Sequence, residues 1–202
     1  MQVHSDPTQL PEFRNAVVTI GTFDGVHKGH RQIIDRLVSE ARGVQGESVL
    51  VTFHPHPRKV VSSTILGVRL INTLSEKIML LEKLGVDHLV VVPFTEAFAN
   101  LEAEAYVSEF LVKLFHPHSI IIGYDHRFGR GREGNYQLLE NLAPKYGFRL
   151  LEIPQHVLNE ITVSSTRIRE ALLEGNQQKA NELLGYSFFF SEQVVHGDKL
   201  GR

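Results

Sequence analysis

Short runs of apolar, mostly β-branched residues recur along the chain at fairly even intervals. Such runs predict buried strands, here at AVVTIG (16–21), SVLVTF (48–53), HLVVVPF (88–94), SIIIG (119–123) and FRLLEIP (148–154). Between the runs, apolar residues return every three or four positions, as on a helix with one face packed on a sheet. This spacing predicts helices over 30–41, 75–85, 100–115 and 136–147.

The alternation of strands and helices favours right-handed crossovers between parallel strands. It predicts an α/β fold, a Rossmann-like, doubly wound, parallel five-stranded sheet with helices on both faces. Ligands bind beyond the carboxyl ends of the strands in such sheets, so the loops after the first, second and fourth strands are the candidate site. Two more helices are expected at 164–175 and 176–185.

Composition limits the possible partners. The 202 residues include 21 Lys and Arg against 23 Asp and Glu, so a polyanion must be held by a local cluster and not by overall charge. The chain has no cysteine, which excludes disulfides and thiolate metal sites and fits a reducing compartment. No run approaches the roughly 20 apolar residues of a membrane span, and no signal-peptide pattern is present. We expect a cytoplasmic protein with small-molecule substrates that binds neither nucleic acid nor membrane.

The stretch TIGTFDGVHKGH (19–30) joins the first predicted strand to the first helix. Free N–H groups at a helix start bind anions, and glycines at 21, 25 and 29 allow close approach of the backbone. His27 and His30 can both donate an N–H to phosphate oxygens there. An isolated HxxH is more often a pair of surface histidines, but the strand–glycine–helix context favours the anion site.

The loop GYDHRFGRGREGN (123–135) follows the fourth strand and is rich in glycine and arginine. Asp125 lies at the exit of the strand, where a carboxylate can accept hydrogen bonds from a sugar or a ring N–H. Arg127, Arg130 and Arg132 can meet phosphate, although a solvated basic loop is an equal alternative for Arg130 and Arg132.

The string SSTRIR (164–169) places three hydroxyls and two arginines at another helix start. Ser164 or Ser165 is the expected N-cap, and Arg167 or Arg169 could reach a phosphate. An ordinary cap followed by surface arginines is the alternative, unless this helix start faces the first one.

Histidine clusters at HPHP (54–57) and HPH (116–118) raise a transition-metal site as a rival hypothesis. No HExxH motif or cysteine supports it. His54 and His56 each precede a proline and are therefore biased to extended backbone, so this loop is better interpreted as a rigid pocket wall.

Four motifs, in order and spacing, resemble the FMN adenylyltransferase module of the bacterial bifunctional riboflavin kinase/FAD synthetases. They are GTFDGVHKGH (21–30), TFHPHP (52–57), GYDHRFG (123–129) and VSSTRIREAL (163–172). HxGH with a downstream SSTxIR marks the wider nucleotidyltransferase superfamily, and the other two motifs make the resemblance specific.

The resemblance implies the reaction ATP + FMN → FAD + pyrophosphate, assisted by Mg²⁺, whose ligands it leaves open. It implies that His27 and His30, with Arg169, bind the ATP phosphates and stabilise the transition state. The other implied nucleotide-binding residues are Gly21, Thr22, Phe23, Ser164 and Thr166. The implied flavin-binding residues are Phe53, Pro55, Pro57, Asp125, Arg127 and Phe128. Catalysis in this superfamily is mainly the orientation of the acceptor phosphate for in-line attack, without a covalent intermediate.

The resemblance also divides the chain. Residues 1–185 correspond to the adenylyltransferase module, and the aromatic tail 186–202 corresponds to the beginning of a riboflavin kinase domain, so no kinase activity is expected. A C-terminal strand is the alternative for this tail. The family usually has an aromatic residue where this chain has His126, which bears on the shape of the flavin pocket. Residues 62–73 are either a flap over the site or a connector.

Two other functions stay open at this point. One is adenylyl or cytidylyl transfer to another phosphorylated acceptor, because HxGH recognises only the nucleotide. The other is a non-catalytic module that binds flavin or nucleotide.

Overall fold

The computed structural model describes residues 1–61, 69–153 and 163–194. Within these residues all paired strands are parallel and form one six-stranded sheet in the order β1-β4-β3-β2-β5-β6. The strands are β1 (Gln2–His4), β2 (Val17–Ile20), β3 (Ser48–His54), β4 (His88–Pro93), β5 (Ser119–Gly123) and β6 (Arg149–Ile153). The predicted α/β sheet is confirmed, with one strand more than expected.

The additional strand, β1, is only three residues long and pairs with β4 at the edge of the sheet. Its sequence, QVH, has a single apolar residue, so no apolar run marked it. Three predictions fall wholly or partly beyond the described residues. They concern Pro154 at the end of the fifth predicted strand, most of segment 62–73, and the last eight residues of the tail.

All six predicted helices are present, and the structure adds two short α-helices that were not predicted, Pro57–Val61 and Glu96–Ala99. The described α-helices are α1 (Lys28–Gly43), α2 (Pro57–Val61), α3 (Leu74–Glu82), α4 (Glu96–Ala99), α5 (Ala103–Ala105), α6 (Lys113–Phe115), α7 (Tyr136–Tyr146), α8 (Ser165–Leu173) and α9 (Gln177–Leu184). A π-helix, Tyr106–Val112, joins α5 to α6, so the helix expected over 100–115 begins later and is wound more widely at its centre. Within the described residues, no helix is long and apolar enough to cross a bilayer.

Two apolar cores lie on opposite faces of the sheet, because successive residues of a strand point to opposite sides. Val18 and Ile20 of β2 pack with the π-helix and α7. Val17 of the same strand packs with α1 and α3. Helices therefore cover both faces, as a doubly wound sheet requires.

The strand order places a switch point beside β2. From β2 the chain proceeds through β3 to β4, and then crosses to β5 and β6 on the other side of β2. Loops that diverge at such a point leave a crevice between them at the carboxyl ends of the strands. The predicted functional motifs follow β2, β3 and β5 at this end of the sheet.

The chain after α9 returns to the same end of the sheet. The hydroxyl of Tyr186 donates to the carbonyl of Gly25 at 2.7 Å and to Asn72 Oδ1 at 3.2 Å. The amide of Ser191 donates to Glu76 Oε1 at 2.6 Å. Residues 186–194, the described part of the tail, form no strand. We call residues 186–191 the tail segment.

Candidate active site

A sharp turn connects β2 to α1. The backbone adopts positive φ at Phe23 (45°), Gly25 (87°) and Val26 (37°), which reverses the chain within a few residues. A Cβ on Gly25 would lie 2.9 Å from Ile71 Cδ1, so both conformation and space require glycine here. The turn delivers His27 to the N-cap of α1.

His27 and His30 stack on one another at the start of α1. Their ring centroids are 3.6 Å apart with 15° between the planes, and the edge of Phe23 packs against His30 at 5.2 Å. Nδ1 of His27 accepts a hydrogen bond from the amide of His30 at 3.3 Å. The structure thus brings the predicted pair together at a helix N-terminus, with Phe23 as a buried support.

Both imidazoles are neutral at pH 7. Burial lowers the pKa of His27 to about 4, and burial, with the charges of His27 and Lys77, lowers the pKa of His30 well below 6.5. Because Nδ1 of His27 accepts a hydrogen bond, its proton is assigned to Nε2, which is then a donor for a ligand. Nδ1 of His30 is buried and has no partner among the described residues.

Arg169 reaches this turn from α8. Its Nη2 donates to Oδ2 of Asp24 at 2.6 Å, and its Nε donates to the carbonyl of Arg69 at 2.8 Å. Asp24 is 2% exposed, and its Oδ1 also accepts from the amide of Ile71 at 2.9 Å. These bonds fix one edge of the Arg169 guanidinium, and Nη1 forms no hydrogen bond with residues 1–61, 69–153 or 163–194, so it is a candidate donor to a ligand. The sequence analysis missed Asp24, whose signal was its place in the FDG turn.

The start of α8 lies beside the start of α1. The carbonyl of Val163 is 4.0 Å from a Cβ built on Gly29, and Ser165 Oγ donates to the carbonyl of Asp24 at 3.0 Å. Ser164 is the N-cap, accepting from the amide of Arg167 at 3.3 Å. Ser164 and Thr166 are exposed in this first turn. Two helix N-termini therefore adjoin, which strengthens the phosphate interpretation of both motifs.

Lys77 of α3 is a second residue that the sequence analysis missed. It is 7% exposed, and its Nζ donates to the carbonyl of Thr22 at 2.6 Å and to Thr52 Oγ1 at 3.4 Å. Burial lowers the pKa of Lys77 to about 8, against the opposing effect of Asp24. The sequence did contain an indication of this role, because Lys77 lies on the same helix face as the apolar residues Leu74 and Leu81.

A cavity of about 730 Å³ opens at the carboxyl ends of β2, β3, β4 and β5. This volume is typical of small-molecule sites. Seven of the predicted residues line the cavity: Gly21, Thr22, Phe53, Pro57, Asp125, Arg127 and Phe128. Pro55 is not among the lining residues in the described part of the chain.

Aromatic rings form much of one wall. Phe53 packs against Phe94 and Phe98 with centroids 5.4 and 5.6 Å apart. Tyr106 packs against Phe98 and stacks on Phe128 at 5.0 Å. A continuous aromatic surface of this kind suits a flat conjugated ring.

His126 also lines the cavity, 5.9 Å from the ring of Phe128. Burial lowers the pKa of His126 to about 4 in spite of neighbouring Asp125. The ring is therefore uncharged near neutral pH, and it contributes to the wall as a flat, neutral side chain.

The glycines of the 123–135 loop allow this wall to form. A Cβ on Gly134 would lie 2.4 Å from the ring of Phe128, and a Cβ on Gly129 would lie 2.8 Å from Ala103 Cα. Arg130 forms an exposed ion pair with Glu102 at 2.7 Å, whereas Arg132 lines the cavity. The solvated-loop alternative therefore describes Arg130 better than Arg132.

One histidine of each cluster has a local hydrogen-bond partner. His56 Nδ1 accepts from the amide of Arg58 at 3.2 Å, and His118 Nδ1 lies 2.9 Å from Ser119 Oγ. Among residues 1–61, 69–153 and 163–194, no group of three or more His, Asp or Glu side chains could hold a metal ion. The described residues thus give no support to the transition-metal hypothesis.

Comparisons with known proteins agree with the motifs. A family model described as FAD synthetase matches residues 9–167. The bifunctional riboflavin kinase/FMN adenylyltransferase of Escherichia coli (strain K12) is 38% identical over 195 residues, covering 96% of this chain and 62% of that protein. The protein of the same name from Listeria monocytogenes is 36% identical over 189 residues, covering 93% and 59%.

A solved structure from Streptococcus pneumoniae, described as a macrolide-efflux protein, is 27% identical with a TM-score of 0.75. The match covers 92% of this chain and 70% of that one. The chain spans about three fifths of the length of the E. coli and Listeria relatives. On the family model and these relatives, the chain belongs to the FAD synthetase family.

Proposed function

We propose that this chain transfers AMP from ATP to FMN, giving FAD and pyrophosphate. One observation carries the proposal: the stacked His27–His30 pair lies beside a second helix start, in a turn whose first residue, Thr22, lines a large aromatic-walled cavity. The first part suits a polyphosphate, and the second suits a flat heterocycle that ends in a phosphate.

The ATP phosphates would lie across the two helix N-termini. Five groups would donate hydrogen bonds there: the Nε2–H of His27, the His30 ring, the exposed hydroxyls of Ser164 and Thr166, and Nη1 of Arg169. Neutral imidazoles and a fixed guanidinium stabilise the charge that develops as the bond to pyrophosphate breaks. Asp24 holds the guanidinium in place throughout.

The flavin ring would pack on the wall that contains Phe53 and Phe128, with its phosphate directed toward Gly21 and Thr22. An oxygen of that phosphate attacks the α-phosphorus of ATP, the bond to the β-phosphate oxygen breaks, and pyrophosphate leaves in line. The protein supplies orientation and charge stabilisation, without a covalent intermediate.

Mg²⁺ would enter with ATP and neutralise charge on the phosphates. Mg²⁺ commonly takes most of its ligands from phosphates and water, which fits a site whose buried carboxylate, Asp24, already accepts bonds from Arg169 and Ile71. We assign no protein ligand to the ion.

The proposal includes the setting of the reaction. Residues 1–185 would be the adenylyltransferase module, and 186–202 the beginning of a riboflavin kinase domain like that named in the relatives. The substrates would be small molecules in the cytoplasm, and nucleic acid would not be a partner, in keeping with the net charge of −2.

The test is incubation of the purified chain with FMN, ATP and Mg²⁺, followed by chromatographic separation of the flavins. FAD with equimolar pyrophosphate is expected, and riboflavin in place of FMN should give no dinucleotide. Binding of FMN without turnover would favour the non-catalytic module. Turnover of ATP with another phosphorylated acceptor, but not with FMN, would favour the other transferase.

A further inference from the structure

Lys77 is a buried cation that contacts no carboxylate within the described part of the chain. Among the described residues its Nζ bonds only to uncharged oxygens, those of Thr22 and Thr52. The nearby carboxylate of Asp24 is bonded instead to Arg169. An ammonium that is desolvated and not directly paired raises the free energy of the protein, so its position calls for a role other than packing.

The carbonyl of Thr22 is the point at which three elements meet. It follows the end of β2, and it accepts from Lys77 of α3 at 2.6 Å and from Thr52 Oγ1 of β3 at 3.2 Å. Thr22 lines the cavity and begins the turn that leads to His27. Lys77 thus fixes the first residue of the turn that carries the histidine pair.

The charge of Lys77 also acts on two imidazoles. Burial is the main cause of the lowered pKa of His30, and His27 and then Lys77 add to it. Burial is also the main cause of the lowered pKa of His56; Asp24 opposes this shift, and Lys77, Arg169 and Arg58 add to it. Lys77 is therefore within electrostatic range of both the β2–α1 turn and the wall after β3.

We propose that Lys77 is a positioning residue for adenylyl transfer: its ammonium fixes the Thr22 carbonyl between β2, β3 and α3, and so sets where His30 meets the nucleotide phosphates. The proposal rests on the function proposed above and deepens it. Lys77 acts through Thr22 and His30, and its charge adds to the effect of burial in keeping the His30 ring uncharged, so that the ring can donate a hydrogen bond to phosphate.

Three variants separate this role from packing. Lys77→Met removes the charge and the donor but keeps the length of the side chain, whereas Lys77→Arg keeps a charge and a donor. Lys83→Met is the matched control, because it removes an exposed lysine six residues further along the chain. Thr52→Val removes the other donor to Thr22 without changing a charge.

We expect Lys77→Met to lower kcat about tenfold or more, as misplaced catalytic groups do, with a much smaller change in the KM for FMN. The pKa of His30, followed by NMR of its ring proton, should rise, and the acid limb of the pH–rate profile should move upward with it. Lys77→Arg should recover part of kcat and keep the low pKa. Thr52→Val should lower kcat less and leave the pKa unchanged, and Lys83→Met should change neither.

Two results would overturn the proposal. One is an unchanged kcat in Lys77→Met. The other is a lower kcat with an unchanged His30 titration, which is what a packing defect predicts. If Lys77→Met fails to fold, Lys77→Gln, which keeps a donor without a charge, serves for the same comparison.

The titration of His30 needs no substrate, so it separates this proposal from the function on which it rests. If the wild-type chain forms no FAD, the proposed reaction is wrong. A raised His30 pKa in Lys77→Met would still support the action of Lys77 on this site, and an unmoved one would refute it.

Discussion

His27 combines two tasks in one side chain, and they can be separated. Its Nδ1 caps α1 through the amide of His30, while its Nε2–H is free to face a ligand. Asparagine is also a good N-cap but is shorter, so it keeps the first task and loses the second.

His27→Asn should therefore lower kcat about 100-fold, because one oxyanion donor is worth about that much. It should change the free energy of unfolding by less than about 1 kcal/mol, because the cap is kept. Kinetics of FAD formation and urea unfolding at pH 7.5 measure the two quantities. A variant with wild-type turnover would show that the assigned role of His27 is wrong.

Asp125 lines the cavity and is exposed, and it is proposed to contact the flavin. Asp125→Ala should raise the KM for FMN several-fold while the KM for ATP stays the same, because the lost hydrogen bond is to only one substrate. Glu133→Ala, an exposed change in the same loop that does not line the cavity, is the control. An unchanged KM for FMN would contradict the placement of Asp125 beside the flavin.

At the level of elements, most of the fold was predictable from apolar patterning. The strands and helices around the sheet agree with their predicted positions, because both cores are built from regular 2- and 3.6-residue periods. β1 was not predicted, since a three-residue edge strand buries too little apolar surface to leave a pattern. The π-helix also leaves no periodic signature that distinguishes it from α-helix over seven residues.

The same contrast holds for the site. Motif spacing predicted that His27 and His30 face one ligand, but it left open whether the second helix start stands beside them. It could not predict that Arg169 bonds to Asp24, or that Lys77 reaches Thr22 from 55 residues away, because such pairings depend on how α3 and α8 pack. Family membership is confirmed by the comparisons, whereas the roles of individual residues stay predictions.

The loop between β5 and α7 contains a glycine, Gly134, whose Cα lies against the ring of Phe128 in the cavity wall. Gly134→Ala places a methyl group 2.4 Å from the ring of Phe128, so Phe128 must move and the affinity for FMN should fall several-fold. Gly43→Ala, where nothing lies within 4 Å of the new Cβ, should leave binding unchanged. Fluorescence titration with FMN measures both, and equal affinities in the two variants would show that the Phe128 ring does not shape the site.

At the scale of the whole molecule, buried neutral histidines make stability depend on pH. The pKa values of His27 and His126 are lowered from 6.5 to about 4 in the folded chain, so the unfolded chain takes up protons first as the pH falls. Stability should therefore be fully present above pH 6.5 and decrease as the pH falls toward 4, with His27 contributing at most about 2 kcal/mol of the loss at pH 5.

Urea unfolding at pH 7 and pH 5 tests this dependence, and His27→Asn should have a shallower decrease than the wild type. Equal decreases in the two proteins would show that His27 does not hold the lowered pKa in solution.

The tail segment contacts two elements of the candidate site, the β2–α1 turn and helix α3. Tyr186 bonds to Gly25 in the histidine-bearing turn, and Ser191 bonds to Glu76, the residue before Lys77. Thermodynamic linkage is reciprocal. If a bound nucleotide stabilises the contacts between the turn and residues 186–191, those contacts stabilise the bound nucleotide by the same free energy. A change that pulls the tail segment away from the turn would therefore lower the affinity of the site for nucleotide.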